Sequence, residues 1–358
     1  MSIKKIAKEA GVSTATVSRV LNNPGYKCSS EELRERIWKI ARELNYMPNE
    51  AARNLKKGIT DTSQKVWYLD VLMTRMGNLE TDPFFSELLR VIESEIHRQG
   101  CILMHIFHQP LFSNDRKCRT ENIDKVIAQM EPDGEIRSDG LIIIGKCNDN
   151  VLKKLSAKYK SIVSVNRNST NYLVDEVICD GKRIAAMAVE YLIGLGHRKI
   201  GYVGDCHNES RYKGYQDTLF QYGIDIDISF VIEAEHTEAE GYAVMERLIQ
   251  RGDAPTAIYC ANDMIAIGML KCLNKYKNRY YVPSIISSDD IEEAQYTKPM
   301  LTTVRLPKEE MGKFALYLLI DRLGGGHKGI VRTELEGKLM IRESCTLVEN
   351  ANRMEYYI

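Results

Sequence analysis

The sequence contains no apolar run long enough to span a membrane, no low-complexity tract and no internal repeat. Its nine cysteines are odd in number and scattered, with no Cys-x-x-Cys spacing and no His/Cys cluster. That pattern argues against a disulfide framework or a zinc site and for a reducing cytoplasm. The seven histidines contain no metal-spaced pair. Also missing are a phosphate loop, a Gly-x-Gly-x-x-Gly fingerprint and a Gly-x-Ser-x-Gly elbow. Gly324-Gly325-Gly326-His327 follows a predicted helix and reads as a loop, not an anion cradle. Nothing here points to an enzyme, so no catalytic residue, metal or cofactor is expected. A chain opening on a charged amphipathic helix is not expected to carry a secretion signal.

Net charge is absent as well, since 49 basic residues balance 49 acidic ones. The balance is uneven along the chain: residues 1–60 hold 12 Lys and Arg against 6 Glu, which leaves the remainder net acidic. A basic end on a mildly acidic body suits a protein that meets phosphates with one end only, although a solvated surface would look the same.

Within that basic end, Gly11-Val12-Ser13-Thr14-Ala15-Thr16-Val17-Ser18-Arg19-Val20-Leu21-Asn22 reads as the turn and second helix of a helix-turn-helix. Gly11 suits a left-handed turn position and Ser13 an N-cap. Val17, Val20 and Leu21 form a buried face at helical spacing. The other face is short and polar. Ser13, Thr14, Ala15, Thr16, Ser18, Arg19 and Asn22 are the candidate DNA contacts, with Thr14, Ala15 and Arg19 expected to read the major groove: Arg forks guanine, small methyls meet thymine, hydroxyls take phosphates or base edges. Ile6, Ala7 and Ala10 give a first helix its apolar face. Ser29 and Glu32 suggest a capping box for a third helix, striped by Leu33, Ile37, Ile40, Ala41 and Leu44. A generic helical hairpin is the bland alternative.

About 300 residues remain after a headpiece, enough for a large core in two lobes. Strand-length apolar runs at Val66–Met73, Cys101–Phe107, Leu141–Ile144 and Ser161–Val165 alternate with helical stretches near Phe84–Arg98, Ile123–Met130 and Val151–Tyr159. A second series has strands near Lys199–Val203, Phe230–Glu233, Ala257–Cys260 and Ser284–Ser287, with helices starting near Lys182, Ser210, Glu238 and Asp263. Two such series predict two doubly wound parallel-sheet α/β lobes, with ligands at the carboxyl ends of strands between them.

The helix-turn-helix, the segment Tyr46-Met47-Pro48-Asn49-Glu50-Ala51-Ala52-Arg53-Asn54-Leu55 and motifs along the rest of the chain together resemble the lactose-repressor/galactose-repressor family of bacterial transcription regulators. Those motifs include Asp82-Pro83-Phe84-Phe85, Gly196-His197-Arg198-Lys199-Ile200-Gly201-Tyr202, Cys260-Ala261-Asn262-Asp263 and Arg342-Glu343-Ser344. The resemblance implies an all-α headpiece over 1–46, a hinge helix and linker over 47–61, and a periplasmic-binding-protein-like core over 62–358. Within the core it implies an N-lobe of about 62–167 plus 304–326 and a C-lobe of about 168–303 plus 327–358. It makes Leu55 a minor-groove wedge with Ala52 beside it, and Asn49 marks the hinge-helix start; an ordinary linker is the alternative. Matching positions make Phe84, Phe85, Asn166, Arg211, Asn262 and Asp289 the effector contacts. Their chemistry suits a polyhydroxylated ligand: a carboxylate for vicinal hydroxyls, a guanidinium fork, an amide, and a phenyl face for the C–H side of a sugar ring.

The chain departs from that family's pattern at Asn166, where Asp is frequent, at Ser287-Ser288, where Gly and an aromatic are usual, and at Gly181, where Asn is common. The expected function is therefore a cytoplasmic, homodimeric, operator-binding regulator. It is read as a repressor of carbohydrate-utilisation genes under a small, sugar-type effector, with no membrane partner. A purine-type corepressor or a protein partner is the alternative within this class. A solute-binding protein, which should lack the headpiece, is the alternative outside it. The tail Asn350–Ile358 lacks a heptad pattern for a tetramerisation helix.

Overall fold

The computed structural model describes residues 3–22, 30–43, 66–75, 82–113, 120–130, 137–207, 209–276 and 281–350. The chain divides into two compact units, Met1–Lys65 and Val66–Ile358. The hinge segment expected over 47–61, with Asn49, Ala52 and Leu55, lies outside the described residues.

Among its described residues the first unit holds three helices, α1 (Ile3–Ala10), α2 (Thr14–Asn22) and α3 (Glu31–Glu43). Ile6, Ala7, Ala10, Val17, Val20 and Ile37 close one small core, with Val12, Leu33 and Ile40 packed at its edge. Of the expected stripes, Ile6, Ala7, Ala10, Val17, Val20 and Ile37 are buried and Leu33 and Ile40 half-buried, while Leu44 and the side chains of Leu21 and Ala41 lie outside the described part. One cap differs from expectation: the Leu33 amide donates to Ser30 Oγ at 3.2 Å, so α3 is capped one residue later than the Ser29–Glu32 box would place it. Ser29 lies outside the described residues.

The second unit runs β1 (Tyr68–Met73), α4 (Pro83–Arg98), β2 (Ile102–His108), α5 (Ile123–Ala128), β3 (Gly140–Ile144), α6 (Asp149–Ser156), β4 (Ser161–Asn166), β5 (Asp175–Ile178), α7 (Gly181–Gly194) and β6 (Ile200–Gly204). It continues with α8 (Ser210–Gln221), β7 (Val231–Glu233), α9 (Glu238–Ile249), β8 (Ala257–Cys260), α10 (Asp263–Tyr276), β9 (Ser284–Asp289), β10 (Thr302–Arg305), α11 (Lys308–Leu323), β11 (Arg332–Glu334) and β12 (Lys338–Met340). Two six-stranded sheets result, ordered β11-β5-β4-β3-β1-β2 and β12-β10-β9-β8-β6-β7. Every pairing is parallel except β10 with β12. The interior strands β3, β4, β8 and β9 are buried throughout; β3 and β8 read as apolar runs, whereas β4 and β9 bury serines and a terminal Asn166 or Asp289 as well.

The lobe boundaries need correction. β5 and β11 lie in the first sheet and β10 in the second, so residues 168–178 and 332–334 belong to the N-lobe and Val304-Arg305 to the C-lobe. The chain therefore crosses between lobes after Ile178, after Arg305 and after Glu334. β5 and β11 escaped sequence reading because they are short and charged. Asp175 and Glu176 are nonetheless fully buried: Arg322 pairs with Asp175, and Glu176 accepts from Ser169 and from the amide and hydroxyl of Thr170. After the second crossing, α11 packs on α4, β3, β4 and β5 of the N-lobe.

Candidate functional site

In the helical unit the turn is set by Gly11, whose φ of +69° is in the left-handed region, and the Val12 amide reaches back to Ala7 O at 3.0 Å. Ser13 caps α2 by accepting the Thr16 amide at 3.1 Å, and its hydroxyl lies 2.9 Å from that of Thr16. With Val17 and Val20 inward, Thr14 and Arg19 are exposed and Thr16 is half-buried. The side chains of Ala15, Ser18 and Asn22 lie outside the described part.

The second cluster lies where the strand ends of the two lobes face each other. Asp82 caps α4 by accepting the amides of Phe84 and Phe85 at 3.0 and 3.3 Å, which turns both rings inward, edge to face at 5.1 Å. Arg167, directly after β4, places its guanidinium 4.3 Å from the centre of the Phe84 ring. The same guanidinium donates to Asp289 Oδ1 at 2.6 Å, so a buried ion pair joins the end of β4 in the N-lobe to the end of β9 in the C-lobe. Asp289 and Asp290 take φ of +130° and +49°, costly for residues with a Cβ, and the surrounding contacts hold them there. Asp290 is gripped by Arg305 and Arg342, each at 2.6 Å, and Lys308 donates to its carbonyl at 3.1 Å while pairing with Glu87.

Arg211 is fully buried at the start of α8. Its Nε donates to Glu209 at 3.0 Å, another guanidinium nitrogen bonds Ala261 O, and a third lies 3.5 Å from His236 Nε2. Arg75 reaches His236 Nδ1 from the N-lobe at 3.0 Å. Asn262 caps α10 by accepting the Ile265 amide at 3.1 Å and donates to His236 O at 3.3 Å.

Charge follows from this packing. Burial pushes the Asp289 carboxyl up to about 6 against the pull of Arg167 and Arg211. Burial would raise Glu209 too, but Arg211 overrides it and holds that carboxyl well below the usual range. His236 is driven strongly down by burial, then by Arg75 and Arg211, and stays neutral. Asp263, which accepts from Ser287, Thr303 and the Ile291 amide, is raised to about 7 by burial and by the neighbouring Asp289 charge.

The structure thus gathers Phe84, Phe85, Arg211, Asn262 and Asp289, but it spends their polar groups on each other and on residues the sequence reading passed over: Arg75, Arg167, Glu209, His236, Asp290 and Lys308. Phe84, expected to present a face to a sugar, is covered by Arg167. Asn166 makes no side-chain hydrogen bond among the described residues. With Arg167 it lines a lateral groove of about 1070 Å³ between the β4–β5 loop, the starts of α5 and α6, and the starts of α7 and α8. Arg167 was legible in one respect only, as the cation next to a predicted strand-end residue.

Comparison with known proteins places this architecture. Residues 2–49 match the model for bacterial regulatory proteins of the lacI family, and residues 189–345 match that for a periplasmic binding protein-like domain. The chain is 31% identical to the HTH-type transcriptional repressor MelR of Bacillus subtilis (strain 168), over 96% of its own length and 97% of the relative's. The chain belongs to the LacI family. It is 29% identical to the repressor PurR of Haemophilus influenzae (strain PittEE), over 96% and 98% of the two chains. Among solved structures, the transcriptional regulator CelR in complex with cellobiose superposes with a TM-score of 0.66 at 24% identity, covering 96% of this chain and all of that one. The lac repressor dimer bound to operator and the anti-inducer ONPF gives 0.64 at 22%, covering 97% and 99%. These structural likenesses establish the shared fold. As a LacI-family protein the chain is a DNA-binding transcriptional regulator and not an enzyme. No described helix is long and apolar enough to cross a membrane.

Proposed function

We propose that this regulator is a repressor acting as a homodimer on a pseudo-palindromic operator in the cytoplasm, with its operator affinity set by a small effector of sugar type bound between the lobes. Thr14, Ala15 and Arg19 read each half-site in the major groove, with Ser13, Thr16, Ser18 and Asn22 beside them. Asn49, Ala52 and Leu55 act at the minor groove between half-sites. The observation that carries effector control is the Arg167–Asp289 pair, which joins the β4 end of the N-lobe to the β9 end of the C-lobe, where an effector touching Phe84, Phe85, Asn166, Arg211, Asn262 and Asp289 would compete for it. An effector can shift the lobes only through unequal affinity for their two arrangements. The names of the relatives support repression, and the cellobiose complex of one neighbour supports a sugar-type ligand. The test is operator binding by the full chain in the presence of monosaccharides, disaccharides, sugar phosphates and purines. At least one sugar-type compound should change operator affinity, and that change should be lost in Asp289→Ala. A purine as the sole active compound would overturn the sugar assignment, and no response to any of them would overturn small-molecule control.

A further inference from the structure

The donors and acceptors between the lobes do not balance. A neutral imidazole has one N–H and one acceptor nitrogen. Yet Arg75 stands 3.0 Å from one ring nitrogen of His236 and Arg211 stands 3.5 Å from the other. Whichever tautomer His236 adopts, one guanidinium N–H faces an imidazole N–H. Among the described residues the two buried carboxylates that meet these guanidiniums pair with other arginines than Arg75, Glu209 with Arg211 and Asp289 with Arg167. Asp205 is near enough to feel the charge of Arg75 but forms no ion pair with it, and its carboxylate accepts the His207 amide instead. Arg75 has no carboxylate partner among the described residues. Arg167, 6% exposed, has a buried Nε with no hydrogen-bond partner among the described residues. An unmet buried donor on a charged group is costly, so three guanidiniums gathered near one neutral imidazole, with Arg75 lacking a carboxylate partner and Arg167 an unmet Nε–H among the described residues, make a site suited to bind an anion.

We propose that the interlobe site takes an oxyanion, a phosphate ester carried by the effector, held by Arg75, Arg167 and Arg211 around His236. This rests on the reading of the interlobe space as the effector site. A carboxylate offers two oxygens and satisfies one fork, whereas a phosphate monoester offers three terminal oxygens to separate guanidiniums. The groove that Arg167 lines favours the same charge. Its lining carries seven cationic side chains, Lys146, Lys153, Lys182 and Lys213 among them, against four acidic ones. Such a slot raises the local concentration of anions.

The experiment is thermal unfolding of the full chain with inorganic phosphate titrated against chloride at constant ionic strength, in wild type, Arg75→Gln and Arg75→Lys. Phosphate should raise Tm saturably in wild type. Its midpoint should weaken by about tenfold or more in Arg75→Gln and by less in Arg75→Lys, which keeps the charge and loses the fork. A phosphate shift no larger than that of chloride, or one unchanged in Arg75→Gln, overturns the proposal, and acetate matching phosphate overturns the choice of phosphate over carboxylate. Operator binding with glucose, galactose and their phosphate monoesters separates the two readings. Operator release by a neutral sugar and not by its ester overturns the anion site and leaves effector control standing. Phosphate binding that depends on Arg75, with no compound altering operator affinity, supports the anion site and counts against effector control.

Discussion

Arg19 is the residue on which sequence discrimination turns. It is exposed on the outward side of α2 while Val17 and Val20 anchor the opposite side. A guanidinium is the side chain best matched to the paired acceptors of guanine, so Arg19→Ala should cost about 1–3 kcal/mol of operator affinity and relax preference at a single base pair. Affinities measured across a library of operator variants check this, since uniform weakening on every sequence would assign Arg19 to phosphate contact instead. At the same scale, the interlobe residues show the limit of reading function from residue type. Asn262 looks like an amide for a ligand, yet its oxygen caps α10 and its nitrogen bonds His236 O. Cap and contact demand the same chemistry, and only position tells them apart.

At the scale of elements, close helix packing and one loop clamp have distinct energetic signatures. Gly241 of α9 and Gly268 of α10 let two helices touch backbone to backbone: a Cβ added at Gly268 would lie 2.0 Å from Glu238 O. Gly268→Ala should therefore force the pair apart and destabilise the core by about 1–3 kcal/mol, read in chemical denaturation of the full chain. Beyond α11, the glycine run turns so that His327 sets Nδ1 2.6 Å from Asp321 and Nε2 2.9 Å from the buried Asp175. Both nitrogens face carboxylate oxygens, so both must donate and the ring is an imidazolium. Hydrogen bonds to Asp321 and then Asp175 raise its pKa above 6.5. A raised histidine pKa gives stability that is fully present below the unfolded value and is lost as pH rises through the folded one. The Tm difference between wild type and His327→Gln should thus be largest below pH 6.5 and shrink above the folded pKa; a difference independent of pH would show that the imidazolium is not what ties the loop. The elements themselves were unequally legible. β1, β3, β4 and β8 announce themselves because strands buried on both faces are mostly apolar, while β9 shows only Ile285-Ile286 between serines. β5, β10, β11 and β12 do not, because they are short and mix polar or charged residues with apolar ones, and at Asp175 the carboxylate is satisfied by Arg322, distant in sequence. The lobe boundaries missed in the sequence are those strands' boundaries.

At the scale of the whole molecule, three crossings make the lobes a jointed pair, and the ion pairs between them set how firmly the joint is held. Sequence placed Asp289 at this joint but not its partner, because an arginine after a strand carries no mark of what will lie opposite it. Removing Asp289 alone would strand a buried guanidinium, and breaking a buried pair one partner at a time typically costs about 3–5 kcal/mol. Replacing both, as in Arg167→Leu with Asp289→Leu, removes the charges together and should restore most of the stability lost in either single variant. What remains changed is the balance between lobe arrangements, since the ion pair that tied the end of β4 to the end of β9 is gone. If the pair is the element on which an effector acts, the double variant should bind operator in the absence of ligand with the affinity that wild type shows when its effector is saturating. A tenfold change in operator affinity corresponds to about 1.4 kcal/mol of lobe preference, well within the worth of one buried pair. Operator titrations with and without effector decide it, because a double variant that folds, binds operator as wild type does and still responds fully would place the coupling elsewhere in the joint.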